Sequence, residues 1–200
     1  MENGKRLMPK LILVRHATPE TDPCVLPTQW PLSDAGRQSC AVLSRELAPF
    51  FPAVLVCSRE AKAVETAALL GRELKVSYKA LAGLQEHARN SVGWLSEDDY
   101  RAGLAALYAK PPEVVFGDES ADQARARFTS ALDGLLAEHQ DENVVVVTHG
   151  TVMTLFIQHT TSGIVPMEFW QRLGLPSAAI LNRPELTLER LIEKVGTDGN

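Results

Sequence analysis

An α/β protein built on a mostly parallel central sheet is predicted by three features of this 200-residue chain. Two short aliphatic runs, Leu11-Ile12-Leu13-Val14 and Val144-Val145-Val146-Val147, have the length of buried strands and are bounded by polar residues. Each leads directly into a histidine-bearing turn, Arg15-His16 in the first case and Thr148-His149-Gly150 in the second. Between them, strand-like runs alternate with helical periods, the pattern of a sheet covered by helices on both faces.

Element by element, residues 1–9 read as a loose polar tail and residues 10–15 as the first strand. The stretch from Pro19 to Pro31 carries four prolines without apolar periodicity, and reads as a loop over the strand end. Ser33 or Asp34 caps a helix reaching Ala48, stopped by Pro49 and Pro52. A strand over Ala53–Cys57, a helix from Glu60 to Glu73 and a short extended piece over Val76–Tyr78 follow. Residues 80–95 are irregular and form a wall of any site at the strand ends. Ser96 caps a helix that ends before Pro111-Pro112. The helix from Asp118 to His139 puts Phe128, Leu132, Leu135 and Leu136 on one face. After the valine strand, Gly150 opens a helix to His159, and Pro166–Leu173 forms another. Ser177–Leu181 and Leu186–Leu191 are the last strands. Nothing resembles a repeat or a linker, so residues 1–200 are expected to form a single domain.

The chain carries a net charge of −5, which argues against a general nucleic-acid binder with a basic surface. Cys24, Cys40 and Cys57 lie far apart with no Cys-x-x-Cys pair, which favours reduced thiols over disulfides or a zinc site. All three are expected to be small buried residues. The only apolar run near the start is Leu11–Val14, whereas a transmembrane helix needs about 20 apolar residues. A cytoplasmic protein without membrane or nucleic-acid partners is therefore expected.

Open α/β sheets bind ligands at the carboxyl ends of their strands, where Arg15, His16 and His149 are predicted to stand. Paired imidazoles beside a fixed guanidinium suit phosphate chemistry. A neutral imidazole is a good nucleophile near neutral pH, since its ordinary pKa is about 6.5. Attack by His16 on phosphorus splits one difficult hydrolysis into two displacements through a phosphohistidine. Arg15 offers a planar fork to phosphoryl oxygens and stays charged at any working pH. Thr18 has two readings, a hydroxyl donor to phosphate and a plain turn residue. Amides at the start of the helix after His149 favour a nearby anion.

The segments between the two histidines make the pattern specific. In order, the chain shows Arg15-His16-Ala17-Thr18, Leu32-Ser33-Asp34-Ala35-Gly36-Arg37-Gln38, Ser58-Arg59-Glu60-Ala61-Lys62-Ala63-Val64-Glu65-Thr66-Ala67, Leu84-Gln85-Glu86, Gly117-Asp118-Glu119-Ser120 and Thr148-His149-Gly150. Over residues 10–182 this resembles the histidine phosphatase superfamily, the phosphoglycerate-mutase-like proteins. The resemblance implies a three-layer α/β/α sandwich and a metal-independent phosphatase of the histidine acid phosphatase kind, without a cofactor, acting on a small phosphorylated substrate. It implies His16 as nucleophile, His149 as the second pocket histidine and Glu86 as general acid/base. An acid beside phosphate should have its pKa raised by the like charge.

Several positions depart from the family's pattern, among them Arg59, where a proline usually follows Ser58, and Asp22, where many members carry Asn. Ala17 replaces a glycine, and Lys62 replaces the second phosphate-binding arginine. Lysine keeps the charge and loses the bidentate fork, so Arg59, on the same helical face, is a candidate substitute. Alternatives to the phosphatase are a mutase using the same pocket and a catalytically weak phosphate binder, the latter suggested by Lys62. Asp22 is expected to turn outward; His87 and Arg89 have two readings, contacts to a second anionic group of the substrate or a place on the surface, with the surface favoured; loop residues Trp30 and Trp94 are expected to fold back onto the core.

Overall fold

A computed structural model describes residues 8–51, 53–193 and 195. The expected tail over residues 1–7 and the helix stop at Pro52 lie outside the described residues. Leu11–Val14 form the centre of β1 (Lys10–Arg15), and all four side chains are fully buried. The valine run is β4 (Val144–Thr148), also buried throughout. With β2 (Val54–Ser58), β3 (Tyr78–Leu81), β5 (Ser177–Asn182) and β6 (Leu188–Ile192) they make a six-stranded sheet in the order β3-β2-β4-β1-β5-β6. Neighbouring strands among β3, β2, β4 and β1 pair in parallel, while β5 pairs antiparallel with both β1 and β6.

Strand alternation divides the core between the two faces of this sheet. Leu11, Leu13, Val144 and Val146 pack on one face with Phe128 and Leu132 of α4 (Ala121–Glu138) and Phe156 of α5 (Gly150–Thr160). The same layer contains α3 (Glu97–Ala109) through Leu104 and Leu107, and α6 (Pro166–Arg172) through Phe169. Ile12, Val14, Val145 and Val147 face the other way, onto Leu43 and Leu47 of α1 (Asp34–Leu47) and Ala63, Ala67 and Leu70 of α2 (Ala61–Leu74). The result is a three-layer α/β/α sandwich with a mostly parallel sheet. Each buried aliphatic side chain contributes about 1.5–3 kcal/mol, so β1 and β4 are anchored from both sides.

Helix starts follow their capping residues. Ser33, Ser96 and Ser120 each accept an amide hydrogen bond from the first turn of their helices, and Ser120 with Gln123 forms a reciprocal capping box. At Gly36 a Cβ would lie 2.2 Å from the Thr18 carbonyl oxygen, so α1 approaches the loop after β1 as closely as only glycine permits. The extended piece expected over Val76–Tyr78 begins later, as β3, because the left-handed Lys75 at the end of α2 first turns the chain. Cys40 and Cys57 are buried, and burial pushes both thiols up to about 12. Cys24 is exposed on the proline-rich loop, contrary to the expectation of burial. Among the described residues no helix is long and apolar enough to cross a membrane.

Candidate active site

Sheet register builds the site. Arg15 at the end of β1 stands opposite Thr148 at the end of β4, and the His16 amide donates to the Thr148 carbonyl at 3.0 Å. The next residues of the two strands are therefore neighbours: the rings of His16 and His149 lie 5.2 Å apart at 62°. His16 Nδ1 lies 2.8 Å from the Ala17 carbonyl oxygen. A carbonyl only accepts, so Nδ1 carries the proton and a neutral His16 keeps its lone pair on Nε2. His149 Nε2 is 2.9 Å from Ser58 Oγ, at the end of β2. Burial holds both imidazoles well below the ordinary histidine range, with the positive charge of Lys62 acting in the same direction on each.

The Arg15 guanidinium runs under the start of α5. Its Nη1 donates to the Leu173 carbonyl, and its Cζ lies 5.4 Å from the centre of the Trp170 ring. A Cβ on Gly150 would come within 3.0 Å of Arg15 Nε, which explains a glycine directly after His149. Arg15 Nε and His149 Nδ1 are buried and make no hydrogen bond within the protein. Buried nitrogens without partners are rare, and such groups suit a site that receives an anion.

Around these residues is a cavity of about 350 Å³ lined by Arg15, His16, Lys62, Glu86, Arg89 and His149 among others. Lys62 is buried, and its Nζ donates to the Pro27 carbonyl and to Glu60 Oε2, both at 2.6 Å. Glu60, absent from the sequence-based site, is also buried and lines the cavity. Its Oε1 accepts the Glu86 amide at 2.8 Å and lies 3.4 Å from His149 Nε2. A carboxylate one position before a helix reads as an ordinary cap, so the sequence offered no signal for it.

The Glu86 carboxylate occupies the N-terminus of α5. It accepts the amides of Thr151 and Val152, both at 3.1 Å, and of His87 at 2.9 Å. The anion expected at this helix end is thus a side chain of the protein. Burial pushes the Glu86 carboxyl up, but His149, the positive charge of Arg89 and the His87 and Thr151 amides together outweigh it. The group sits below the ordinary carboxylate range, whereas the sequence predicted a raised pKa from a neighbouring phosphate. Arg127 of α4 holds the loop that carries Glu86, donating to the carbonyls of Gly83, Gln85 and Glu86 and pairing with Glu119.

Two expected phosphate ligands stand elsewhere. Arg59 is exposed and does not line the cavity, because α2 begins only at Ala61 and Arg59 is not on the helix face that buries Lys62. Thr18 also lies outside the lining, and its hydroxyl donates to the Leu175 carbonyl at 3.1 Å. Conversely, His87 is 2 % exposed and Arg89 is half-buried, and both line the cavity rather than the surface. Arg89 donates to the Tyr100 hydroxyl at 2.7 Å and lies over the same ring. Asp22 is exposed and caps the Cys24 amide. Among the described residues no group of three or more His, Cys, Asp or Glu side chains is placed to hold a metal ion.

The chain belongs to the histidine phosphatase superfamily (branch 1), whose family model matches residues 11–189. No curated protein sequence matches it. Its fold is shared with solved structures of low identity. The mycobacterial glucosyl-3-phosphoglycerate phosphatase is 20% identical, with a TM-score of 0.71, over 94% of this chain and 99% of that one. Bacillus stearothermophilus YhfR is also 20% identical, with a TM-score of 0.69 over 96% and 98% of the two chains. The α-ribazole phosphatase from Shigella flexneri is 18% identical, with a TM-score of 0.67 over 96% and 99%.

Proposed function

We propose that this protein is a metal-independent phosphomonoester hydrolase that acts through a phosphohistidine on His16. The observation that carries this reading is the His16 Nδ1 bond to the Ala17 carbonyl, which leaves Nε2 as the nucleophilic nitrogen beside Arg15 and His149. In the first step Nε2 bonds to phosphorus, the ester P–O bond breaks, and a protonated Glu86 donates its proton to the departing oxygen. In the second, the Glu86 carboxylate takes a proton from water, the water oxygen bonds to phosphorus, and the N–P bond breaks to release phosphate and restore His16. Arg15, Lys62 and His149 bind phosphoryl oxygens and stabilise the charge that builds on them. The substrate is a small phosphorylated molecule in the cytoplasm, in keeping with the phosphatase names of two structural relatives.

A second reading, a phosphate binder without turnover, is favoured by the Lys62 ammonium already bonded to Glu60 and Pro27. Incubation with an aryl phosphate followed by an alkaline quench separates the readings. Turnover with acid-labile label on His16, lost in His16→Ala, is expected of the hydrolase and should persist in EDTA. Label without turnover identifies a mutase, and neither label nor turnover the binder.

A further inference from the structure

Beside the phosphate cavity, on the far side of Arg89, lies a second one of about 440 Å³, and Pro27, Trp30, Arg89, Asn90 and Tyr100 line both. Leu26, Val92, Trp94 and Leu95 line the far side. Trp30 and Trp94 do not fold into the core: their rings meet 6.0 Å apart at 59°, forming an aromatic corner between the two irregular loops. The Trp30 indole N–H is engaged by the Asp22 and Val25 carbonyls, which locks the ring in place. Trp94 is 57% exposed and Leu26 46%, so apolar surface lies uncovered beside the phosphate cavity.

Charge in this annexe is sparse. Among the described residues Arg89 and Glu97 are its only charged lining residues; Arg89 donates to Tyr100 and Glu97 is paired with Arg101. A second phosphate or carboxylate on the substrate would find a single guanidinium there, already held against Tyr100, on a wall that is otherwise largely apolar. A polyol would leave hydroxyls against tryptophan and leucine. We infer that the annexe takes the alcohol portion of the phosphomonoester, and that this portion is a bulky apolar group, aryl or alkyl. The inference deepens the hydrolase reading and rests on it for the position of the phosphoryl group. The volume is within the range of cavities that enclose drug-sized ligands, and the five residues common to both linings place the annexe next to the phosphoryl position.

Binding of n-alkylphosphonates, whose C–P bond resists hydrolysis, tests the annexe independently of turnover. Titration calorimetry of the full chain should show Kd falling by up to about four-fold per added methylene from ethyl to hexyl. The heat-capacity change should grow more negative along the series. 2-Carboxyethylphosphonate should bind more weakly than propylphosphonate, and Trp94→Ser should flatten the chain-length slope. A Kd independent of chain length, a carboxylate analogue that binds more tightly, or a full slope in Trp94→Ser overturns the inference. Phenyl phosphate hydrolysis, measured in parallel, separates the two proposals. Turnover with a flat Kd series removes only the apolar annexe, and a steep series without turnover removes only the hydrolysis. Failure of every phosphonate to bind removes the phosphate pocket and the annexe together.

Discussion

Lowering the pH from 7.5 to 5.5 should cost this protein up to about 3 kcal/mol of folding stability through two residues alone. His16 and His149 are 7% and 0% exposed, and their folded-state pKa values are held well below the ordinary value by burial and by nearby positive charge. The unfolded chain releases both rings to water, where each titrates near 6.5. Below that pH the unfolded state binds more protons than the native state, so stability present above the unfolded pKa is lost as pH falls. For one imidazole that stays neutral in the folded protein the loss over this interval is about 1–2 kcal/mol, and the two together give the figure above. That is a large part of the roughly 5–15 kcal/mol that holds a typical domain together. Glu86, with a depressed pKa, contributes in the same direction but only as the pH falls further, into the carboxylate range. Urea unfolding at half-unit intervals of pH, for the protein and for His16→Gln/His149→Gln, isolates the histidine contribution. The double variant should lose up to about 3 kcal/mol less across the interval. Equal losses in both would mean that the imidazoles protonate freely in the folded protein, and the buried, neutral pair would be wrong.

Other expectations concern the parts around the pair. Lys62→Ala should lower kcat/KM by about 2–4 kcal/mol of transition-state stabilisation, while Arg59→Ala should stay within about 0.5 kcal/mol; the reverse order would place Arg59 on phosphate. Gly150→Ala puts a methyl 3.0 Å from Arg15 Nε, so kcat/KM should fall about ten-fold or more from the displaced fork, and unchanged kinetics would separate Arg15 from phosphate. Arg127→Ala should reduce phenyl phosphate hydrolysis more than 4-nitrophenyl phosphate hydrolysis, because the nitrophenolate needs little help from a correctly placed Glu86; equal losses would make Arg127 a purely structural residue.

The parts of this molecule legible in its sequence are those governed by local rules. The runs at Leu11 and Val144 announced buried strands, and the serines at 33, 96 and 120 marked helix starts, because strand burial and capping depend on near neighbours. The parts that escaped depend on contacts between distant segments. Glu60 enters the cavity only because the loop carrying Glu86 crosses above α2 and donates an amide to it. Arg127 looks like one more charge on an amphipathic helix until Gly83, Gln85 and Glu86 are seen to present their carbonyls to it. Trp30 and Trp94, 64 positions apart in number alone, find each other because both loops overhang the same strand ends. Arg59 was misjudged by a helical-face argument applied two residues before the helix exists.

The charge arrangement has a consequence for where the catalytic proton comes from. In the structure the cations Arg15, Lys62 and Arg89 share the cavity with two carboxylates, Glu60 and Glu86. The amides at the start of α5, an anion site in many proteins, are occupied by Glu86, so under the proposed mechanism the phosphoryl group is held by the side chains of Arg15, His149 and Lys62. The same amides stabilise Glu86 as a carboxylate, the wrong form for an acid. A phosphoryl dianion entering beside it reverses this, since repulsion between like charges is relieved when the carboxylate takes up a proton. Under the proposed mechanism the acid is therefore made by the arrival of its substrate. When the leaving group departs with that proton, Glu86 returns to the ionised form favoured by the helix, which is the form needed to draw a proton from water.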